Sequence, residues 1–431
     1  MRHTTVSRFE QSQDTPGLAA SRRRWRGVPT TIRLRKIRVP LALVVMATLC
    51  LGVVKANAAV AQSQSQSPAP GSLISDFPVH AEGIDGTAYL VSYWSQSQQN
   101  AAVQVTGLVF VPFGTAPAGG WPVVSYGHPT DGMASSCAPS LDPSTDVPDV
   151  NGMLDRGWEV VATDYQGEVN QSIASSDGGL QPHGVNVPTA RNIIDIVRAA
   201  IDLPAAHAST KYVVWGYSQG GAAATFVGDI AATYAPELTL LGVVATAPAS
   251  GIIQDFFGSP SDSASPFTLM YVAAYNATYG SAVAPLNLTS LGMSFYNDLG
   301  HDCYDTLASA MGQYQVSQVF TTTTPTFFFA ILLATNDPWY IPQATSAPEL
   351  LVQGSADTTD TPLATWALSA HLCSIGQDTV LWEYPGLDHS DIVDSSTGDV
   401  DQWIADRFAG DSNPDSTSPN GVAGTAQSGC S

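Results

Sequence analysis

Apolar positions recur along this chain in two periods. Val103 to Pro112 (VQVTGLVFVP) is Val-rich and alternating, which predicts a strand. Trp121 to Tyr126 (WPVVSY) predicts a second, ending in the turn-forming GHPTDG, and Trp158 to Thr163 (WEVVAT) a third. Pro188 to Ile201 has helical spacing, with Ile193, Ile194, Val197, Ala200 and Ile201 near one face. A short apolar strand at Tyr212 to Trp215 runs into GYSQGG, and an Ala-rich helix then extends to about Tyr234. Leu238 to Ala245, Glu349 to Gln353 and Val380 to Tyr384 read as further strands. Buried-type strands alternating with helices imply an α/β chain with a mostly parallel sheet and helices on both faces.

Between Ser250 and Ile341 this rhythm stops. The stretch carries helical pieces such as Pro266 to Tyr279, six Asp and no Lys or Arg. Extended to Gln343, it holds 16 of the chain's 38 aromatic residues in under a quarter of its length. Long insertions in compact domains usually have a function, so the expectation is a helical cap. The expected layout is an export segment over 1–61 and a flexible mature N-terminus over 62–75. A core over 76–249 and 346–410 follows, interrupted by a cap over 250–345, with a flexible tail over 411–431.

The export segment rests on the N-terminal pattern. A basic flank precedes the apolar run Leu41 to Val54, and Lys55 and the small residues Ala56-Asn57-Ala58-Ala59-Val60-Ala61 follow it. That is the pattern of a secretory signal cleaved after Ala58 or Ala61. The 14-residue run is short for a membrane span, so no stable membrane insertion is expected after cleavage. The expected location is extracellular or periplasmic. Cleavage also changes the charge. Eleven of the 16 Lys and Arg lie at or before Lys55, leaving five basic against 35 acidic residues, a formal charge of −30. Such a surface argues against nucleic acid and anionic headgroups as partners. Four of the five cysteines lie beyond the apolar run: Cys137, Cys303, Cys373 and Cys430. An even number in an exported chain is consistent with disulfides, but spacing leaves the pairing open.

Gly216-Tyr217-Ser218-Gln219-Gly220 is the one G-x-S-x-G match in the chain. It lies between an apolar strand and a helix, as the nucleophile turn of an α/β-hydrolase requires. A serine hydroxyl needs a histidine base, and that base needs an orienting carboxylate; in this fold the order along the chain is Ser, acid, His. His389 follows a late strand in a loop and is the candidate base, whereas His371 lies in a helical stretch. Asp357, opening the loop after Leu350-Leu351-Val352-Gln353-Gly354, is the candidate acid and Asp360 the fallback; Asp388 reads as a solvated loop charge. The backbone N–H of Gln219 is the first candidate oxyanion donor. The second should come from His128-Pro129-Thr130-Asp131-Gly132, where Pro129 has no N–H; His128 itself is expected to stabilise the loop. No metal-ligand spacing or phosphate loop is present, so no cofactor is implied.

Four stretches together resemble the secretory lipase family, the group around the lipase A enzymes: SYGHPTDGMASSCAPS (125–140), WEVVATDYQG (158–167), GYSQGG (216–221) and the Asp357/His389 tail. The resemblance runs from about Val103 to Phe408. It implies an α/β-hydrolase with a helical lid over an acyl-binding tunnel. It also implies a Cys137–Cys303 disulfide, with Cys373 and Cys430 left as a second pair. It implies the backbone N–H of Asp131, with or without its side chain, as the second oxyanion donor. Many bacterial relatives carry His-Gly-Thr-Thr-Gly where this chain has His-Pro-Thr-Asp-Gly, which makes Thr130 the rival. The expected architecture is a hydrolase sheet of the eight-stranded type with the cap inserted. The expected activity is hydrolysis of carboxylic esters, with triacylglycerol as first substrate and a small-molecule ester or lipid as partner. A short-chain or aromatic carboxylesterase is the alternative. An aminopeptidase or a non-catalytic binding protein on the same fold ranks lower.

Overall fold

The structure is a computed structural model. It describes residues 67–430, apart from 145–146, 175–178, 253–258 and 260. The expected export segment over 1–61 therefore lies outside the described residues.

Seven strands fall where the apolar runs predict them: β3 (Ala102–Pro112), β4 (Trp121–Gly127), β5 (Glu159–Thr163), β6 (Ala208–Tyr217), β7 (Thr239–Thr246), β8 (Glu349–Gly354) and β9 (Thr379–Tyr384). Three more flank them: β1 (Leu73–Val79), β2 (Gly86–Gln96) and β10 (Ala426–Gly429). Among the described residues the sheet thus has ten strands, against the expected eight-stranded type, in the order β1-β2-β3-β5-β4-β6-β7-β8-β9-β10. Pairing is parallel from β5 through β9 and antiparallel at both margins.

Helices α1 (Val150–Asp155), α2 (Asn186–Asp202) and α3 (Gln219–Tyr234) lie within the first part of the core. Helices α9 (Pro362–Ser374) and α10 (Asp391–Ala409) lie within the second. Helices α2 and α3 bury Ile193, Ile196, Ala223 and Val227 against one sheet face, together with Val105 and Val109 of β3. Helices α1 and α10 bury Leu154, Ile392 and Trp403 against the other, with Leu108 and Phe110. Alternate residues of β3 therefore enter different cores, and its apparent alternation is not an inside–outside pattern. Each buried Val, Leu, Ile or Phe among them contributes roughly 1.5–3 kcal/mol, so a strand covered on both faces is fixed firmly in place.

The insertion is helical, as expected: α4 (Pro266–Tyr279), α5 (Ser290–Asp298), α6 (Tyr304–Met311), α7 (Val316–Val319) and α8 (Phe327–Thr335). It has its own core, in which Leu269, Met270, Tyr275, Phe295 and Phe329 pack together. Two disulfides are present, Cys137–Cys303 and Cys373–Cys430. The first joins the loop after β4 to the cap; the second joins α9 to the residue following β10.

Both ends depart from the sequence expectation. The last residues of the 62–75 stretch are not free: Gly71 N–H donates to Trp94 O, and β1 pairs with β2 from Leu73. The 411–431 tail is also built in. The Asp399 carboxylate accepts the N–H groups of Asn420 and Gly421, β10 pairs with β9, and Cys430 is bonded to Cys373. A buried acceptor and a cross-link hold this tail, and neither leaves an apolar pattern in its residues.

Candidate active site

Strand β6 ends at Tyr217 and α3 begins at Gln219, so Ser218 is the single residue of a sharp turn between them. It adopts φ 54° and ψ −115°, a conformation that costs a non-glycine residue of order 1–3 kcal/mol. Hydrogen bonds hold it there: its N–H donates to Thr246 O at 2.9 Å, and its carbonyl accepts from Ala222 and Ala249. The turn closes only because its neighbours lack side chains. A Cβ on Gly216 would lie 2.0 Å from Gly220 O, and one on Gly220 would lie 2.0 Å from Gly127 O.

Two loops from the C-terminal edge of the sheet reach the serine. His389, after β9, places Nε2 3.0 Å from Ser218 Oγ. Its Nδ1 lies 2.7 Å from Asp357 Oδ2, on the loop after β8. Asp357 is fixed in turn: Oδ1 accepts N–H bonds from Thr359 (2.8 Å) and Asp360 (2.9 Å), and Oδ2 accepts from Gln353 Nε2 (3.0 Å). Tyr217 Oη donates to the His389 carbonyl and anchors the histidine loop. Burial works against a charged His389. The hydrogen bond to Asp357 and the charges of Asp360, Asp357 and Asp388 outweigh it, holding the imidazole above its ordinary pKa.

The structure thus brings Ser218, His389 and Asp357 together in the order the sequence suggests. His371 lies elsewhere on α9, with Nε2 2.8 Å from Ile341 O. Asp388 is an exposed loop residue, as read from the sequence, and its carboxylate accepts the N–H groups of Ser390 and Asp391 ahead of α10. Asp360, weighed from sequence only as a fallback acid, lies at the other imidazole nitrogen: its Oδ2 is 3.7 Å from His389 Nε2 and 3.4 Å from Ser218 Oγ.

A cavity of about 340 Å³ opens above Ser218. Gln219 and Thr130 line it, and Thr130 Oγ1 donates to Gln219 Oε1 at 3.2 Å. The Asp131 carboxylate does not line it; it lies 2.8 Å from Nδ1 of the buried His128. His128 also stacks on Tyr165, with ring centroids 4.0 Å apart, and Tyr165 Oη donates to the His128 carbonyl. The reading of His128 as a loop stabiliser matches these contacts. His183 also lines the cavity and had no sequence signal. Burial pushes its pKa down to about 4, against an opposing hydrogen bond with Gln219, so it is neutral at neutral pH. Phe267, Thr268 and Tyr271 of α4, with Ser250, Ile252 and Ser265 ahead of it, form the cap's share of the lining. Among the described residues, no three His, Cys, Asp or Glu side chains converge to hold a metal ion, and no helix is long and apolar enough to cross a membrane.

A serine in a strained strand–helix turn, on a mostly parallel sheet, defines an α/β-hydrolase. Solved structures agree on the fold. Candida antarctica lipase A in its closed state matches with a TM-score of 0.67 at 18% identity, over 83% of this chain and 86% of that one. A rice cell wall degrading esterase from Xanthomonas oryzae matches with a TM-score of 0.64 at 20% identity, over 76% and 95%. The chain belongs to the secretory lipase family, whose sequence model matches residues 136–416. Among curated relatives, lipase A of Moesziomyces aphidis is 28% identical over 171 residues, covering 37% of this chain and 34% of its own length. A Mycobacterium tuberculosis protein named "Probable inactive lipase" is 26% identical over 161 residues, covering 34% of each. The chain thus spans about a third of the length of these two relatives.

Proposed function

We propose that the chain is a secreted serine hydrolase that cleaves carboxylic esters through an acyl-enzyme, acting on acylglycerols with triacylglycerol as the first substrate. The observation that carries this reading is the continuous relay from Ser218 Oγ through His389 to Asp357. Ser218 Oγ attacks the ester carbonyl and its proton passes to His389 Nε2. Asp357 keeps Nδ1 protonated, so Nε2 is free to accept, and stabilises the imidazolium that forms. The tetrahedral oxyanion receives the N–H of Gln219 and a second donor. For that donor we favour Thr130 over Asp131. Thr130 lines the cavity and its hydroxyl lies 3.2 Å from Gln219 Oε1, whereas Asp131 is not among the residues that line it. The imidazolium then returns its proton to the departing alcohol. Water, activated by the same nitrogen, releases the acid.

Ile252, Phe267 and Tyr271 give the acyl chain an apolar wall. Export fits the N-terminal pattern and the two disulfides. A relative named as inactive makes a direct activity test necessary. Hydrolysis of p-nitrophenyl esters from short to long acyl chains, with and without emulsion, tests the reading. Activity on medium or long chains, abolished in Ser218→Ala, supports it. A maximum at acetate or butyrate selects the short-chain carboxylesterase instead. Absence of hydrolysis at every length refutes both.

A further inference from the structure

The lining of the Ser218 cavity is chemically divided. Helix α4 and Ile252 supply apolar surface, while the loop after β8 supplies Thr358, Thr359 and Asp360 in succession. Asp360 is the charged member. It is 14% exposed, and Oδ2 lies 3.4 Å from Ser218 Oγ and 3.7 Å from His389 Nε2. Its position is built, not incidental. Its N–H donates to Asp357 Oδ1 and its carbonyl accepts from Gln353 Nε2, so the groups that fix Asp357 also fix Asp360.

In ester hydrolysis, Nε2 must hand its proton to the leaving alcohol, whose oxygen then sits roughly 2.6–3.2 Å from that nitrogen. Asp360 therefore stands beside the alcohol half of the substrate. In a polyol ester the next carbon carries a hydroxyl within one hydrogen-bond length of the leaving oxygen. A carboxylate presents about four lone-pair sites, so Asp360 can take that hydroxyl alongside the contacts it already makes. A carboxylate that bonds a substrate hydroxyl discriminates strongly against analogues that lack it.

We infer that Asp360 favours esters whose alcohol keeps a free hydroxyl beside the ester oxygen over esters of simple alcohols, so that the di- and monoacylglycerols released from a triacylglycerol react faster than the triacylglycerol itself. The inference rests on the ester-hydrolase reading and sharpens it: the apolar wall takes the acyl chain, and the loop after β8 reads the alcohol.

The test compares kcat/KM for 1-monobutyrin and for n-propyl butyrate, which share the acyl chain and the three-carbon alcohol skeleton. Wild type should favour monobutyrin at least tenfold. Asp360→Ala should lose most of that ratio, and Asp360→Asn, which keeps a carbonyl acceptor, should fall between. A wild type without preference overturns the inference whether or not the variants fold. An unchanged ratio in Asp360→Ala also overturns it. So does an equal fall on both substrates, which would make Asp360 an accessory partner of His389 only. Labelling of Ser218 by a fluorophosphonate separates the two levels. A labelled enzyme without the preference removes this inference alone, whereas an enzyme neither labelled nor active removes the hydrolase reading as well.

Discussion

Replacing Asp357 by Asn changes one atom, and the groups around that atom determine the effect. The side of the carboxylate that accepts the N–H groups of Thr359 and Asp360 requires an oxygen. The Asn carbonyl must take that side, leaving its NH₂ facing His389 Nδ1, now 2.7 Å from Asp357 Oδ2. A donor there forces Nδ1 to accept and moves the imidazole proton to Nε2, where it points at Ser218 Oγ. The base is then lost. The loss of tautomer control expected for such a change is about 10⁴-fold in kcat, or roughly 5.4 kcal/mol. KM should change little, because Asp357 does not line the cavity. Gln353 Nε2 would face the new amide donor, with a stability loss of about 1–3 kcal/mol. The assay is steady-state hydrolysis of a p-nitrophenyl ester beside urea unfolding of the same sample. Asp357→Asn retaining a tenth of wild-type kcat would refute the reasoning. So would Asp360→Asn losing as much, since the fallback acid would then be the true one.

Other consequences are checked separately. His389 acts as a base only when neutral and its pKa is raised, so activity is present above that pKa and lost as pH falls through it. Asp360→Asn removes a charge that favours the imidazolium and should move the acid limb of the kcat/KM profile to lower pH; an unmoved limb contradicts the assignment. Thr130→Val should lower kcat about 10²-fold with little change in KM; an unchanged kcat would take the oxyanion role from the Thr130 hydroxyl and return it to a backbone N–H of the same loop. Removing the Cys137–Cys303 bond in the double Ser variant frees a loop of 166 residues and should cost up to about 5 kcal/mol in urea unfolding. A change below 1 kcal/mol would show that cap packing alone holds that loop.

The parts of this architecture that depend on burial are written in the sequence. Strands covered on both faces are mostly apolar, so β3 to β9 stand out as Val-rich runs even with buried polar residues such as Gln104, Glu159 and Glu349 among them. GYSQGG is legible because close approach of the chain to itself forbids a Cβ at Gly216 and Gly220. What escaped reading depends on contacts between distant residues. Strand β10, Ala426–Gly429, is exposed along its whole length and is held by pairing and by Cys430. Thr130, not the Asp131 side chain, lines the cavity because buried His128 draws the Asp131 carboxylate to itself. Asp360 reaches Ser218 because Asp357 gathers the N–H groups of residues two and three positions ahead, curling the loop back over the site. His183, the buried neutral imidazole paired with Gln219, lies in no recognisable motif.

The central claim is that the Ser218 hydroxyl is made nucleophilic by His389. Its most direct test is peptide mapping by mass spectrometry after brief exposure of the protein to a fluorophosphonate. The account predicts a single adduct on the peptide containing Ser218, absent at the same exposure from His389→Ala. An adduct on another serine, or equal labelling of Ser218 without the histidine, would contradict it.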